Sequence, residues 1–373
     1  MSRKQSLQLV LALALTAFSL FLALRGVNFA EVSQALRQVN GYWLLLAVGL
    51  IMVTLTIRAQ RWRVLLKRQL SFRDAFGLIN IGYLVNGVLP ARAGDAARGV
   101  AGSLRGPVTM LAALSTVVVE RVLDMLVIVL ILVATLPFVP GLRQYLATGS
   151  IGGGIPLNLV VAASGLLSLG IVAALVIMAA YPAKVEAIVQ RVLEKLPIAH
   201  PERFLRPVQH ILEGLGALGS VRAGIEIVLW TLALWATTGL YFWAVMRACG
   251  GFIAEASLLK SLVAMWSSAF GMVFPATGGI GSFHFAVREA LFWGFALPRD
   301  LGFTYAVLSH AIAYLLGIAL GAGALLSWGI SLREVMRHGS GATGQEQEPQ
   351  APPELQAQVM PEVAAEDHPV HSS

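Results

Sequence analysis

Charged residues are scarce in this chain. They make up 13% of its 373 residues, against about a quarter in a soluble globular domain. A water-surrounded fold is thereby excluded. Cysteine occurs once, at Cys249, which rules out an intrachain disulfide and a thiolate metal cluster. P-loop, Rossmann fingerprint, nucleophile elbow and HExxH zinc motif are all missing. With no enzyme constellation in view, the chain is read as a non-enzyme without metal or cofactor. A separate basic domain is also lacking. The net charge of +7 and pI near 9.8 come from Lys and Arg beside apolar runs. That is how membrane loops look, and no nucleic-acid partner is expected.

What is abundant is apolar sequence. Hydrophobic residues reach 57% and mean hydropathy is +0.74. A helix crosses the hydrocarbon core with about 20 apolar residues. Suitable runs lie at 7–24, 42–58, 109–137, 155–180, 223–247 and 302–330. The first resembles a signal peptide, but it is longer than the usual apolar core and lacks a clear cleavage site, so it is read as a retained span. Two further apolar regions, 75–105 and 257–297, are interrupted by Pro-Ala-x-x-Gly: Pro90, Ala91 and Gly94 in one, Pro275, Ala276 and Gly279 in the other. Pro removes a backbone donor and Gly favours non-helical angles. Backbone so exposed must sit against protein or line a wet cavity.

Basic clusters fix an orientation. Arg3 and Lys4, then Arg58 to Arg73, then Lys184 to Arg222, then Arg333 and Arg337 all fall on the cytoplasmic side if positive charge stays inside. Spans 42–58 and 109–137 then fit only if 75–105 enters and leaves from the cytoplasm. Likewise 257–297 enters and leaves from outside. The expected fold is an all-α polytopic membrane protein: about six full spans plus two re-entrant helical hairpins in an inverted repeat. Its repeat units are 42–137 and 223–330, within a transmembrane region 1–338. A connector, 183–218, joins them. In it Val185, Ile188, Val189, Val192 and Leu196 share one helical face, opposite Lys184, Arg191 and Lys195. Residues 339–373 read as a disordered cytoplasmic tail, rich in Pro, Gln, Glu and Gly. Both termini are expected in the cytoplasm.

Chemistry concentrates in three places. Glu120, Arg121 and Asp124 lie within an apolar run; Glu120 and Asp124 share a helical face, and Arg121 is spaced to pair with Asp124. Intramembrane charge usually faces a cavity or a partner. The first break holds Asn86, Pro90, Arg92, Gly94, Asp95 and Arg98. Asp95 is placed to cap a short helix, or to pair one of the arginines beside it. Arg92 and Arg98 suit phosphate, because guanidinium offers a planar fork of donors. The second break is neutral. Pro275, Gly278, Gly279 and Gly281 allow backbone amides to converge on an anion, Ser282 is placed to cap the next helix, and His284 is a titrating group or an ordinary satisfied side chain.

Taken in order, IRAQRWRVLL (57–66), NGVLPARAGDAARG (86–99), VVVERVLDML (117–126) and FPATGGIGSFHFA (274–286) resemble the motifs of the lysylphosphatidylglycerol synthase transmembrane-region family, also described as flippase-like. The resemblance covers roughly residues 5–332. It implies a polytopic inner-membrane protein whose relatives handle lipids or lipid-linked glycans. Aminoacyl transfer in the synthases belongs to a separate soluble domain, which the short tail after Arg337 does not resemble, so that activity is not carried over. The leading expectation is a translocase for a phospholipid or lipid-linked phosphate, with membrane lipids of anionic head group as partners. Homo-oligomerisation and a partner enzyme both stay open. Two alternatives stand beside it: a membrane enzyme or accessory subunit in lipid or lipid-linked glycan modification, and a small-solute transporter of inverted-repeat type.

Overall fold

The computed structural model describes residues 3–89, 93–105, 108, 110–151, 155–156, 181–195, 221–251, 253, 255–273, 276–332 and 334–335, with scattered positions between 159 and 178 and between 205 and 212. Among these residues the fold is helical, apart from a two-residue antiparallel pairing of Ser150–Ile151 with Ile155–Pro156. The helices are α1 (Arg3–Leu24), α2 (Phe29–Arg37), α3 (Gly41–Leu65), α4 (Phe72–Val88), α5 (Gly94–Arg105), α6 (Met110–Thr135), α7 (Pro140–Thr148), α8 (Pro182–Lys195), α9 (Val221–Ala248), α10 (Leu258–Gly271), α11 (Ser282–Phe295) and α12 (Arg299–Trp328).

Among the described residues, three helices are long and apolar enough to cross a membrane: Gly41–Leu65, Arg222–Ala248 and Arg299–Trp328. Two bent pairs bring the number to five if each pair is one span. One is Leu13–Leu24 with Phe29–Arg37, at 79°, and the other Ala112–Phe138 with Pro140–Thr148, at 105°. Side chains that face away from neighbouring helices are apolar, including Leu45, Leu130, Val133, Leu232 and Leu326. The chain is a multi-pass membrane protein. Most of the expected span 155–180 and of the connector beyond Lys195, and the tail 339–373, lie outside the described residues. In α8, Val185 and Val189 are half-buried, while Ile188 and Val192 are exposed beside Lys184 and Arg191.

One boundary differs from expectation. The second apolar run was taken to stop at Arg58, but α3 continues to Leu65. Arg58 and Arg61 therefore sit inside a helix. The reason is tertiary: acidic groups on α6 meet these arginines, so their charge does not end the helix.

The α-helix is interrupted between α4 and α5 and again between α10 and α11, where a short 3-10 turn (Thr277–Gly279) intervenes. These four helices have 17, 12, 14 and 14 residues, short of the ~20 that a perpendicular crossing takes. Each pair packs on itself. At the first, Asn86 Oδ1 accepts from the Gly94 amide at 2.8 Å. A Cβ on Gly94 would run into the Gly82 carbonyl and come within 2.7 Å of Asn86. At the second, a Cβ on Gly271 would meet the Ser282 carbonyl at 2.7 Å. Small residues let backbones approach closely where the surrounding lipid gives no hydrophobic drive to pack.

Two cores flank these hairpins. Ile51, Tyr241, Val245, Met265, Phe283, Val287 and Tyr305 pack in one. Trp62, Leu78, Ile81, Val85, Ala101, Ala113 and Leu325 pack in the other. The long helix α12 contributes to both. Buried hydroxyls on these helices find backbone carbonyls. Tyr305 donates to Phe242 O at 2.8 Å, and Tyr241 donates to Ser309 O. Satisfied polar groups of this kind are what a hydrocarbon environment demands.

The Gly94 crossing gives a stability test. Gly94→Ala is expected to cost about 1–3 kcal/mol through overpacking. Gly323→Ala, whose added Cβ meets nothing within 4 Å, should leave stability unchanged or slightly raised. Thermal unfolding in detergent compares the two, and equal midpoints would contradict the close crossing.

Candidate functional site

The site grows from two acidic side chains on α6. Glu120 and Asp124 are almost fully buried, with 2% and 6% of their surfaces exposed. An uncompensated buried carboxylate is very costly, so each requires a cation. Arg61, on α3 and fully buried, supplies the first. Its Nη1 donates to Asp124 Oδ1 at 2.6 Å and its Nη2 to Asp124 Oδ2 at 3.3 Å and Glu120 Oε1 at 3.5 Å. Arg98, on α5, donates through Nη2 to Glu120 Oε2 and lies over the Trp62 ring, 4.7 Å from its centroid. Trp235 of α9 adds an indole donor to Asp124 Oδ1 at 3.2 Å. Four helices thus meet at two carboxylates.

A second, more exposed pair stands next to this network. Arg121 Nη2 donates to both oxygens of Asp95, at 2.9 and 2.7 Å. Arg58 approaches Asp124 Oδ2 only to 3.6 Å. Among the described residues, then, four guanidiniums (Arg58, Arg61, Arg98, Arg121) surround three carboxylates (Asp95, Glu120, Asp124). One positive charge is in excess.

That excess borders a cavity of about 300 Å³. Arg58, Asp95, Arg98 and Arg121 line it on one side, with Tyr83 and Asn86 of α4. Ala276, Gly278, Gly279 and Phe283 of the second break line the other. Helix α12 closes the gap between them. Tyr314 donates its hydroxyl to Gly87 O at 2.8 Å, beside the first break. The same Tyr314 ring lies against Gly278 in the second, where an added Cβ would meet it at 2.8 Å, and His310, one turn earlier, lines the cavity beside them. The two interruptions therefore face one space and are tied to the same helix.

Several expectations change here. Arg121 was spaced to pair with Asp124; instead it pairs Asp95, because Arg61 already holds Asp124. Asp95 was placed as a helix cap or as a partner of Arg92 or Arg98. It lies in the first turn of α5 and binds Arg121. Ser282 was placed as the cap of α11, but the cap position is Gly281 and Ser282 is the first helical residue, its Oγ donating to Gly279 O at 3.3 Å. His284 turns back on the cap, its Nδ1 accepting from the Gly281 amide at 3.2 Å.

The amides of the second break were expected to converge on an anion. Gly278, Gly279 and Gly281 do have positive φ, at 58°, 70° and 87°. Several donors of their segment are nevertheless already used within the protein. Thr277 N–H donates to Thr16 Oγ1 of α1 at 2.9 Å, Gly279 N–H to Ala276 O and Ile280 N–H to Thr277 O. Gly281 is there because α1 passes over it: a Cβ would strike Leu20 and Ser19 backbone. Charge for an anion comes from the first break's side. Pro90, Arg92 and Pro275 lie outside the described residues. Among the described residues no group of three His, Cys, Asp or Glu is placed to hold a metal ion.

Two charged residues at this site were not among the candidates. Arg58 and Arg61 were counted with the loop charges that set orientation. Their i, i+3 spacing directly after the apolar TLTI run was the available signal that they share a face of the same helix.

The family described as Lysylphosphatidylglycerol synthase TM region matches residues 9–321. A protein named Glycosyltransferase AglD, from Haloferax volcanii, is 26% identical over 359 residues, covering 91% of this chain and 57% of that protein. The chain thus spans little more than half the length of this curated relative. No solved structure matches the chain. The relative's name overturns the expectation of a non-enzyme. That expectation rested on the absence of motifs belonging largely to soluble folds, and such an absence does not bear on a membrane-embedded site.

The buried pair supports a double-mutant test. Arg61→Ala should destabilise the protein by about 3–5 kcal/mol, since it strips Asp124 of its main cation. Arg61→Ala with Asp124→Ala should recover part of that loss, as measured by unfolding midpoints in detergent. Strictly additive losses would contradict the pairing.

Proposed function

The chain belongs to the lysylphosphatidylglycerol synthase transmembrane-region family, and from that premise we propose that it takes the phosphate-bearing head group of a lipid into its central cavity and carries it between leaflets. The coarser part of this reading, a membrane protein of lipid or glycan modification, follows from its relatives. The finer part is carried by one observation: two helix breaks from opposite halves of the chain border a single cavity with positive charge in excess. Paired breaks near the centre of a membrane protein are a common architecture for moving a ligand across it.

In this account α4–α5 and α10–α11 are re-entrant hairpins of inverted repeat units 42–137 and 223–330, within a transmembrane region 1–338. The short helices and the close crossing inside each pair support it. The basic clusters favour both termini in the cytoplasm, and the family likeness favours an inner membrane. Arg98 and Arg121 meet the head group; Glu120 and Asp95 hold those arginines in place when no lipid is present, and Asp124 holds Arg61. Asn86, Gly94, Gly278 and Gly279 shape the walls, and His284 and Ser282 brace the second break.

A second reading is favoured by the relative's name. Glycosyltransferase AglD is similar to this chain over 91% of the chain's length, and the same cavity would suit the phosphate of a lipid-linked sugar during glycosyl transfer.

Both readings are testable with one preparation. Purified protein in liposomes should move labelled phosphatidylglycerol between leaflets, and Arg98→Gln with Arg121→Gln should slow it about tenfold or more. Equal rates for wild type and variant would remove the basis of the translocase reading. Glycosyl product from a lipid phosphosugar, formed by the purified protein alone and without leaflet exchange, would favour the second.

A further inference from the structure

The second break carries two titratable groups that take no part in the arginine network. His284 of α11 and His310 of α12 are half-buried, with ring centroids 5.0 Å apart. His310 stacks on Phe283 at 4.5 Å, meets the Tyr314 ring at 5.4 Å and lines the cavity. His284 Nδ1 accepts from the Gly281 amide at 3.2 Å. A nitrogen that accepts carries no proton, so this ring is neutral, with its proton on Nε2. His284 is the third residue of α11, the position from which a side chain reaches back to the cap. Helix α1 crosses at that cap and is held at three points. Thr277 N–H donates to Thr16 Oγ1 at 2.9 Å, Gly281 lies against the Ser19 and Leu20 backbone, and Arg288 Nη1 donates to Ala23 O at 2.7 Å. The middle contact depends on the Gly281 φ of 87°, and His284 is the side chain that holds Gly281. The seam is not fully satisfied: Thr277 Oγ1 is buried with no hydrogen-bond partner among the described residues.

We propose that His284, beside His310, is a proton-binding site, and that its proton unlatches α1 from the second break. The proton comes from solvent hydronium through the cavity and bonds to the Nδ1 lone pair of His284, leaving water behind. An imidazolium has two N–H donors and no acceptor. The Gly281 amide then faces another donor, its hydrogen bond is lost, and the cap beneath α1 is released. One proton suffices, because a second on His310 would place like charges side by side. Among the described residues, the groups around the pair offer the imidazolium no spare carboxylate. On α11, Glu289 is taken by Arg288 and Arg299. On α12, Tyr305 and Tyr314 donate to Phe242 O and Gly87 O, and Asp300 accepts from the Asn28 amide. Residues 7–24 of α1 and 275–281 of the break have no ionisable side chain. On α10, Lys260 donates to Glu255 O, and Tyr241 of α9 donates to Ser309 O. Across the cavity stand Arg58, Arg98 and Arg121, with Asp95 bonded to Arg121. A charge without a partner is costly away from water. The imidazolium therefore favours the arrangement in which α1 has moved and the ring meets solvent. Ionisable side chains inside a membrane commonly serve as proton relays.

The test needs no ligand in the cavity, so its failure would leave the lipid reading standing. The full chain in nanodiscs carries spin labels at Phe18→Cys on α1 and Leu315→Cys on α12, both exposed positions, while Cys249 is fully buried and stays unlabelled. The distance between labels is read by double electron–electron resonance from about pH 8 to about pH 5, where an imidazole titrates. One distance is expected at the alkaline end. A second, longer one should grow as pH falls, its ratio to the first rising by up to about tenfold per pH unit, the slope of one proton. His284→Gln supplies an acceptor that reaches the cap and cannot titrate, so it should keep the short distance at every pH. His284→Leu has no acceptor and should show the longer distance at every pH; the Gln variant carries the test if the Leu variant does not fold. A pH-independent distance in the wild type, or an unchanged pH response in His284→Gln, would overturn the proposal. A slope steeper than one proton would overturn the single-proton site.

Discussion

Two buried carboxylates govern this molecule. Glu120 and Asp124 lie on one face of α6 and have almost no contact with solvent. Neither is tolerable without a cation, and the cations come from other helices: Arg61 from α3 and Arg98 from α5. Bringing those arginines in fixes where α3 and α5 pass. Placing α5 fixes the first break, because α5 must turn back on α4 at the Gly82–Gly94 crossing. The cavity is what remains between that hairpin, its counterpart α10–α11, and α12. Removing Glu120 or Asp124 would free the arginines and loosen the wall they organise.

The helical pattern, the two breaks and the acidic pair were readable from residue order alone, since each depends on local chemistry. Apolar runs must be helical in lipid, and Pro with Gly interrupts them. The partners were not readable. Arg121 and Asp124 have ideal local spacing, yet each prefers a distant group. That choice depends on how α3 and α5 pack, and no spacing rule contains it. Arg58 and Arg61 were hidden for a related reason: orientation charges and buried charges look alike in one dimension, and only the extension of α3 to Leu65 separates them. The glycines of the second break were read as an anion cradle. The Gly279 and Gly281 amides are engaged within the protein, and the geometry of Gly281 and Gly278 serves the passage of α1 and the contact with Tyr314.

The two breaks consequently carry different duties. The first brings charge, through Arg98 and through Asp95 with its partner Arg121. The second brings a compact, internally bonded backbone that seals the opposite wall. Transport and glycosyl transfer share this requirement, because each must hold a lipid phosphate away from bulk water while the rest of the head group is moved or modified. The two proposed readings, one from the family likeness and one from a relative's glycosyltransferase name, therefore place their ligand in the same cavity.

The central claim is that both breaks enclose one lipid phosphate. An experimental density map of the protein in nanodiscs containing phosphatidylglycerol tests it most directly. The account predicts a phosphate feature between Arg58 and Arg121 on one side and Gly278 on the other. An empty cavity, with ordered lipid only on the outer surface of the helices, would contradict it.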